Sequence, residues 1–348
     1  MDNIKGFLGS DKLTISEAMQ QIDKNAGGIL FLTDQEQKLI GCITDGDIRR
    51  YLLAGGKLSE AASKAANKRP RSAQNLAEAK ELYHKKNYIL IPILDEDDRI
   101  VDLYSGESGL QKKRRTPLNI PVVINAGGKG TRLDPFTRVL PKPLIPVGEI
   151  PIIEHIMKEY ETYDCNEFHV IVNYKRELMK AYFTDNDNHY NITWYDEEKP
   201  LGTGGGLSLL QGKFTGTFFL ANCDSLLTAN YENMIKFHKE NENVITMICA
   251  YKNINIPYGI VEMGINGIIE EMKEKPTISF LTNTGIYIVE PEVIDDIEDG
   301  VPIGFPDIVE RERRKGKKVA VFPVSENEWM DMGQLPELEK MRIRLYGE

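Results

Sequence analysis

The chain has 348 residues, more than one ordinary domain usually contains, and this length favours two domains. Hydrophobic residues make up 41% of it and charged residues 28%, a balance that excludes disordered, fibrous and low-complexity proteins. The four cysteines lie far apart with no CxxC spacing, so we expect neither a disulfide framework nor a zinc site. No apolar run approaches the ~18 residues that span a bilayer, and the amino terminus lacks a signal-peptide pattern, which predicts a cytoplasmic protein without a membrane partner.

The net charge of −10 is unevenly distributed along the chain. Residues 1–116 carry 19 Lys and Arg against 17 Asp and Glu, which leaves 24 against 36 in the remainder. We do not expect this acidic main body to bind nucleic acid, because such binding depends on neutralising phosphates with a basic face.

An internal repeat occupies the first third of the chain, with copies at about 1–57 and 62–115. At an offset of 61 residues, segment 32–47 aligns with segment 93–108. Each copy has a helical stretch, a short apolar strand, an acidic turn and a second strand. In the first copy alone, Asp47 signals the start of a further helix. We expect the two copies to bury one shared core.

The segment GCITDGDIRRYL resembles the CBS-domain pair, a module that typically binds adenine nucleotides between its two halves. The resemblance implies that Thr44 and Asp47 contact the ribose of an adenine nucleotide effector. The second copy has Ser105 and Ser108 at the corresponding positions, so it lacks the carboxylate and at most one well-formed site is expected. The alternative is that the Thr/Asp pair only caps a helix and that the module, residues 1–115, is structural or oligomerising.

A linker is predicted at 109–119, where four consecutive basic residues precede a proline, and a second domain follows it. An apolar strand then runs into a glycine-rich turn, whose backbone N–H groups can form a nest for phosphate oxygens. The turn is not a P-loop, because Gly130 follows Gly128 and Lys129 where Ser or Thr is needed. It is not a dinucleotide fingerprint either, because Leu133 replaces the third glycine.

Residues 127–147 resemble, without a gap, the signature GGxGTRLxPxTxxxPKPLxPV of the sugar-phosphate nucleotidylyltransferases, the pyrophosphorylases that make NDP-sugars. The resemblance covers 118–348. It implies that Arg132 holds the leaving pyrophosphate and that Lys142 neutralises the α-phosphate, with its position stiffened by the prolines on either side. The nucleotide-binding residues that it implies in this loop are Ala126, Gly127, Gly128, Gly130 and Thr131.

The segment YDEEKPLGTGGGL at 195–207 resembles a second glycine-rich segment of the family. By this resemblance Gly202 and Thr203 lie beside the base, and Glu198 is a candidate base reader. The alternative is an ordinary loop followed by a helix.

A metal site is implied by two further segments. FFLANCDSLL at 218–227 is an apolar strand followed by Asp224, and EWMDMGQLPEL resembles the closing element of the family and carries Asp331. The resemblance implies that both carboxylates ligate Mg²⁺, a hard cation that usually takes only one or two protein ligands. Each Asp could instead cap a helix.

Three segments resemble acceptor-binding stretches of the family, at 257–263, 270–276 and 280–289. They imply that Lys275 holds the sugar phosphate, although Glu274 and Lys275 taken alone would fit an exposed charged loop. The sugar-binding residues implied are Tyr258, Gly259, Glu274, Asn283 and Gly285.

The expected fold is α/β: a Rossmann-like three-layer nucleotidyltransferase domain with a mixed, mostly parallel sheet, preceded by a small α+β CBS-domain pair. Its site is expected at the carboxyl ends of the strands. The sugar 1-phosphate is already an anionic nucleophile, so the reaction needs positioning and charge neutralisation rather than a general base. About fifteen residues follow Gly333, so we expect no long carboxyl-terminal β-helix.

A CBS pair before a short transferase resembles the guanylyltransferases that activate glucosamine 1-phosphate or a related sugar for nonulosonic (legionaminic) acid pathways of surface glycans. The residues themselves leave open mannose- or heptose-1-phosphate guanylyltransferases and uridylyl or thymidylyl transferases. A rival class is an adenine-nucleotide-sensing CBS protein with a degenerate transferase domain, which the complete set of site residues disfavours. A homo-oligomer is expected, because CBS pairs commonly associate through their helical faces.

Overall fold

The computed structural model describes residues 4–25, 27–86, 88, 90–105, 115–185 and 189–347. These residues form two compact units. Tyr251–Phe280 belongs to the first unit together with the amino-terminal third of the chain, and the second unit contains Arg115–Ala250 and the residues from Leu281 onward. Ser108 and positions 109–114 of the expected linker lie outside the described residues.

The helices and strands of the described residues follow in chain order. The α-helices are α1 (Ile15–Asn25), α2 (Asp45–Leu53), α3 (Leu76–Lys86), α4 (Phe136–Val139), α5 (Ile152–Glu161), α6 (Arg176–Asp185), α7 (Gly202–Gly205), α8 (Tyr231–Glu240), α9 (Glu292–Asp295), α10 (Phe305–Arg314) and α11 (Leu335–Tyr346). The first nine strands are β1 (Leu8–Ser10), β2 (Ile29–Thr33), β3 (Leu39–Thr44), β4 (Ile91–Leu94), β5 (Ile100–Tyr104), β6 (Val122–Asn125), β7 (Pro146–Val147), β8 (Ile150–Pro151) and β9 (Glu167–Val172). The others are β10 (Asn191–Asp196), β11 (Phe218–Asn222), β12 (Ser225–Leu227), β13 (Ile245–Asn255), β14 (Ile260–Met263), β15 (Ile269–Lys273), β16 (Thr277–Val289), β17 (Val319–Val324) and β18 (Trp329–Asp331). Short 3-10 helices lie at Lys5–Phe7, Ala62–Lys64, Thr131–Leu133, Lys142–Leu144, Gly206–Leu210, Ile265–Gly267 and Glu326–Glu328.

The first unit contains both copies of the sequence repeat. In the first copy α1 precedes the antiparallel pair of β2 and β3, and in the second copy α3 precedes the antiparallel pair of β4 and β5. α1 carries apolar residues on one face at a helical spacing, and Ile15, Ala18 and Ile22 are buried against β2 and β3. The helix, strand, turn and strand that the sequence predicts for each copy are confirmed.

The segment 251–280 completes the first unit. Tyr251 lies in the same apolar cluster as Ile15 of α1, and the hydroxyl oxygens of Ser16 and Ser279 are 3.0 Å apart. Between these contacts, β14 and β15 form an antiparallel two-stranded hairpin of their own. The part of the chain that resembles acceptor-binding segments is therefore packed, in part, on the amino-terminal module.

A seven-stranded sheet in the order β10-β9-β6-β11-β16-β13-β17 forms the centre of the second unit. β10, β9, β6 and β11 are parallel to one another, β13 and β17 are parallel, and β16 is antiparallel to β11. Side chains alternate between the faces, so Val122 and Ile124 of β6 enter one apolar cluster and Val123 enters another. This arrangement confirms the expected α/β fold with a mixed, mostly parallel sheet, and β10 and β17 are its two edge strands.

The four cysteines are buried and free of disulfides. Burial raises the pKa of the Cys42, Cys165 and Cys249 thiols to about 11 and that of Cys223 to about 12. Within the described ranges, every helix is too short or too polar to cross a bilayer.

Candidate active site

The glycine-rich loop begins at the carboxyl end of β6, in the middle of the parallel part of the sheet. β9 and β11 flank β6, and Asn125 at the end of β6 is aligned with Asn222 at the end of β11. Loops that follow neighbouring parallel strands meet at one edge of a sheet, which is where open α/β sheets form their ligand crevices. The structure therefore brings the segments after residues 125, 172 and 222 together.

In the glycine-rich loop, exposed residues lie next to buried ones. Ala126 and Gly127 are buried, whereas Gly128, Thr131 and Arg132 are exposed. Gly130 has a φ of +65°, and a Cβ there would lie 2.9 Å from Cγ2 of Thr137. The Thr137 hydroxyl donates to the carbonyl of Gly130 over 3.1 Å. The exposed groups can thus face a ligand while the backbone of the turn is held from behind.

Lys142 and Asp224, which are 82 residues apart in the chain, form an ion pair in the site. Lys142 opens a short 3-10 helix between the buried Pro141 and Pro143, so its backbone has little freedom. The two side chains are only 14% and 17% exposed. A mostly buried ammonium beside a carboxylate can neutralise a phosphate oxygen more effectively than it could in open water.

Asp331 lies next to this pair because the two short strands β12 and β18 are antiparallel. Ser225 is aligned with Asp331, and the N–H of Met332 donates to the carbonyl of Asp224 over 2.9 Å. Burial, and then the charge of Asp224, raise the pKa of the Asp331 carboxyl. Two neighbouring carboxylates are a fitting pair of ligands for a divalent cation. In the part of the chain that the structure describes, no larger cluster of three or more such ligands occurs.

The second glycine segment is fastened to the start of α10. The Thr203 hydroxyl accepts from the N–H of Phe305 over 2.9 Å, and the Thr203 carbonyl accepts from the side-chain amide of Asn125 over 3.1 Å. Gly202 has a φ of +79°, and a Cβ there would lie 2.7 Å from the carbonyl oxygen of Ile303. Gly202 and Thr203 are thereby brought to the end of β6, beside the glycine-rich loop.

Glu197, which the sequence reasoning did not single out, has a buried carboxyl between the two glycine segments. A Cβ on Gly127 would lie 2.7 Å from Oε2 of Glu197, and a Cβ on Gly206 would lie 2.3 Å from Oε1. Oε1 has no hydrogen-bond partner among the described residues. Burial raises the pKa of Glu197 to about 7, although a backbone hydrogen bond from Leu201 opposes this rise. Glu198 is exposed, and its role as a base reader stays a prediction.

Residues 173–175, just after β9, form a brace that bonds to the segment after the glycine-rich loop and to Glu197. Lys175 donates to the carbonyls of Arg138 and Val139 over 2.5 and 2.7 Å, and the Tyr174 hydroxyl donates to that of Thr137 over 3.1 Å. The side-chain amide of Asn173 donates to the carbonyl of Glu197 over 2.8 Å. The brace fixes the segment that follows Arg132, and no feature of the sequence pattern indicated it.

The residues implied for the sugar fall in both units. Tyr258, Gly259, Glu274 and Lys275 belong to the first unit and are exposed. There, a Cβ on Gly259 would lie 2.9 Å from Oε2 of Glu274.

Asn283 and Gly285 belong to the second unit, on β16. The N–H of Gly285 donates to Oδ1 of Asn283 over 3.0 Å. Gly285 has a φ of +77°, and a Cβ there would lie 2.3 Å from Nδ2 of Asn222. Gly285 is therefore brought to the end of β11, two residues before Asp224.

Thr44 and Asp47 form a reciprocal helix cap in the first unit. The Thr44 hydroxyl accepts from the N–H of Asp47 over 3.2 Å, and the carboxylate of Asp47 accepts from the N–H of Thr44 over 3.0 Å. The helix begins at Asp45, three residues before the start that an N-cap at Asp47 would give, because Thr44 is the N-cap and Asp47 the third helical position. Arg50 also pairs with Asp47, at 2.5 Å. The cap accounts for both residues without a ligand.

Residues 121–345 match the family model described as nucleotidyl transferase, and residues 10–54 match the model of the CBS domain. The chain belongs to the nucleotidyl transferase family and carries a CBS domain in its amino-terminal unit.

Curated relatives match about three fifths of the chain. A mannose-1-phosphate guanyltransferase of Pichia angusta is 33% identical over 226 residues, which cover 61% of this chain and 60% of the relative. A UTP–glucose-1-phosphate uridylyltransferase of Synechocystis is 31% identical over 240 residues, which cover 62% of this chain and 60% of the relative. The chain thus spans about three fifths of the length of these relatives.

Solved structures share the fold. The structure of HddC from Yersinia pseudotuberculosis is 21% identical, with a TM-score of 0.51 over 64% of this chain and 98% of that one. A putative glucose-1-phosphate thymidylyltransferase from Bacillus anthracis is 20% identical, with a TM-score of 0.51 over 64% of this chain and 94% of that one.

Proposed function

We propose that the protein is a sugar-1-phosphate nucleotidylyltransferase that converts an NTP and a sugar 1-phosphate into an NDP-sugar and pyrophosphate. The observation that carries this proposal is the meeting of Lys142, Asp224 and Asp331 at the carboxyl edge of the sheet, beside the glycine-rich loop. The family match and the curated relatives support the same class of reaction.

The reaction joins a phosphate oxygen of the sugar 1-phosphate to the α-phosphorus of the NTP and releases pyrophosphate. The nucleophile is already an anion, so the residues must position it and neutralise charge. Lys142 would bind the α-phosphate, Arg132 the departing pyrophosphate and Lys275 the phosphate of the sugar. Asp224 and Asp331 would hold Mg²⁺, which supplies electrostatic stabilisation at the phosphates when bound.

We propose guanine as the base, on the strength of Glu197. A carboxylate offers two acceptor oxygens and no donor, and the guanine edge presents two adjacent donors, N1–H and the N2 amine. Uracil and thymine present one N–H between two carbonyls, and adenine and cytosine present an acceptor beside their amine. Guanine therefore matches the buried Glu197 carboxylate better than the other four bases do.

The sugar proposed is glucosamine 1-phosphate or a related sugar, which rests on the resemblance in domain arrangement described above. Mannose, heptose and glucose 1-phosphates are the alternatives that the acceptor segments leave open. An adenine nucleotide effector at Thr44 and Asp47 stays a prediction, because the helix cap gives those residues a structural role.

The test is pyrophosphate release with Mg²⁺ across GTP, UTP, dTTP, CTP and ATP, each combined with glucosamine, N-acetylglucosamine, glucose, mannose and heptose 1-phosphates. Asp224→Asn is the blank, because it keeps the side-chain shape and removes the charge. Release in the GTP row that this variant abolishes supports the proposal and identifies the sugar. Equal release with UTP would overturn the choice of guanine, and no release from folded protein in any row would overturn the enzyme itself.

A further inference from the structure

One face of the hairpin formed by β14 and β15 is apolar and exposed. In this antiparallel pair Val261 is aligned with Met272 and Met263 with Ile269, so these four side chains share a face. The connecting turn carries two more exposed apolar side chains, Ile265 and Ile268. These six residues, which we call the hairpin face, are between 52% and 82% exposed.

The opposite face of the same hairpin is polar except for Ile260. Ile260 is aligned with Lys273 and Glu262 with Glu271, and the shift in register after Glu262 keeps the two sets of side chains apart. A hairpin in a solvated position would be expected to expose its polar side and bury its apolar side. Here both sides are exposed, so the apolar side is open to solvent as well, which indicates that a partner covers it.

The amount of apolar surface suits a protein partner. From the exposed fractions of its six side chains, the hairpin face presents roughly 700 Å² in each copy, close to the ~800 Å² that each partner buries in a stable interface. Six scattered apolar side chains would need no explanation, but six exposed apolar side chains on one short hairpin do.

A second copy of the chain fits this surface better than a lipid bilayer does. The hairpin face contains no charged side chain, so two identical faces can meet about a two-fold axis without opposing like charges. Glu262 and Glu271 lie on the opposite face of the same hairpin, Glu270 precedes Glu271, and the chain carries a net charge of −10. An anionic lipid surface is charged over its whole area and would repel this acidic chain, whereas the two faces that would meet in a dimer are themselves uncharged. The two-stranded sheet is also too small to be very stable alone and would gain from a cover.

We propose that the hairpin face is the contact surface of a homodimer, in which Val261 and Met272 of one copy pack against the same residues of the other. This interface differs from the helical faces through which CBS pairs associate, and it does not depend on the proposed catalytic activity.

The test is the mass of the full chain in solution, measured by sedimentation velocity across a dilution series. Wild type is expected at twice the 39.4 kDa of one chain. Met272→Glu and Met272→Lys should each raise the dissociation constant of the dimer at least about a hundredfold, because each brings like charges together at a desolvated contact. An equimolar mixture of the two variants should recover the dimer, since opposite charges then meet, and this recovery also shows that both variants are folded.

Leu178→Glu is the matched control, since Leu178 on α6 is 46% exposed and lies outside the hairpin. It should leave the dimer intact. A monomeric wild type at every concentration would overturn the proposal, as would a dimer that Met272→Glu does not weaken. Cosedimentation of wild type, but not of Met272→Glu, with phosphatidylglycerol vesicles would show that the partner of the hairpin face is a membrane and not a second copy.

Discussion

Glu197 lies so close to Gly206 that a Cβ on the glycine would be 2.3 Å from Oε1 of the carboxyl. Glu197→Gln replaces one acceptor oxygen by an amide donor and should disfavour guanine. We expect kcat/KM for GTP to fall about 10- to 100-fold, the worth of a hydrogen bond to a charged group, while UTP improves relative to GTP. Steady-state pyrophosphate release with both nucleotides measures this change.

Glu198→Gln is the matched control for that experiment, because Glu198 is the adjacent residue of the same type and is exposed. It should change neither nucleotide's kcat/KM by more than about twofold. If Glu198→Gln rather than Glu197→Gln altered the choice of base, the role assigned to Glu197 would be wrong.

The raised pKa of Glu197 also affects the stability of the unliganded protein. Burial moves this pKa from 4.5 to about 7, so between these values the unfolded chain releases its proton while the folded chain keeps it. The free energy of unfolding should therefore decrease as the pH rises from 4.5 to 7 and then change no further on this account. In Glu197→Gln this loss is absent, so the Tm of the variant relative to wild type should rise over that interval. Two Tm profiles that stay parallel in a pH series would contradict the prediction.

Removal of one carboxylate from the pair at Asp224 and Asp331 should weaken the binding of the divalent cation. Asp331→Asn is expected to lower kcat/KM at least about a hundredfold and to raise the Mg²⁺ concentration needed for half-maximal rate. Titration of pyrophosphate release with Mg²⁺ after EDTA treatment measures both effects. Asp307→Asn, at the start of α10, removes a carboxylate outside the site and should leave the Mg²⁺ dependence unchanged.

Gly202 combines a left-handed backbone with a close backbone neighbour. Gly202→Ala should cost roughly 2–4 kcal/mol of unfolding free energy, because a left-handed φ of +79° and a Cβ 2.7 Å from the Ile303 carbonyl both oppose it. Gly212→Ala shares a φ of +70° but has open space around its Cβ, so only about 1 kcal/mol is expected. Urea unfolding of the two variants separates the effect of the close contact with Ile303 from that of the backbone strain. Equal losses of unfolding free energy in the two variants would show that this contact is not destabilising.

Lys175 is expected to act on catalysis by positioning the glycine-rich loop. Lys175→Met removes its two hydrogen bonds to the carbonyls of Arg138 and Val139, which should lower kcat/KM about tenfold through a less well-placed Arg132. The free energy of unfolding should fall by only about 1 kcal/mol, because the donor is exposed. Lys180→Met, which breaks an exposed ion pair with Asp196, is the control, and a similar loss of activity there would argue against a positioning role.

Much of the fold could be predicted from local patterns. The apolar spacing of Ile15, Ala18 and Ile22 predicts α1, and the run FFLAN predicts β11, because burial on one or both faces leaves a period that the sequence shows. The assignment of residues 251–280 to the first unit could not be predicted in this way. It depends on contacts such as that between Ser16 and Ser279, which are 263 residues apart.

The candidate site, like the fold, could be predicted only in part. The long signature from 127 to 147 located Arg132 and Lys142, and the ion pair of Lys142 with Asp224 agrees with a shared site. Glu197 and Glu198 are identical neighbours, and only the path of the chain after β10 decides which of them is buried. Lys175 was not foreseeable either, because its partners are main-chain carbonyls, which leave no trace in the sequence.

The burial of all four cysteines has a practical consequence for labelling the protein with a fluorescent dye. With thiol pKa values of about 11 to 12, only about one native thiol in ten thousand or fewer is ionised at pH 7, and the thiolate is the form that reacts. A single cysteine placed at the exposed Lys129 would then be the one group that a maleimide dye modifies at an appreciable rate. Fluorescence from the glycine-rich loop could be recorded during turnover in a chain that keeps its own cysteines.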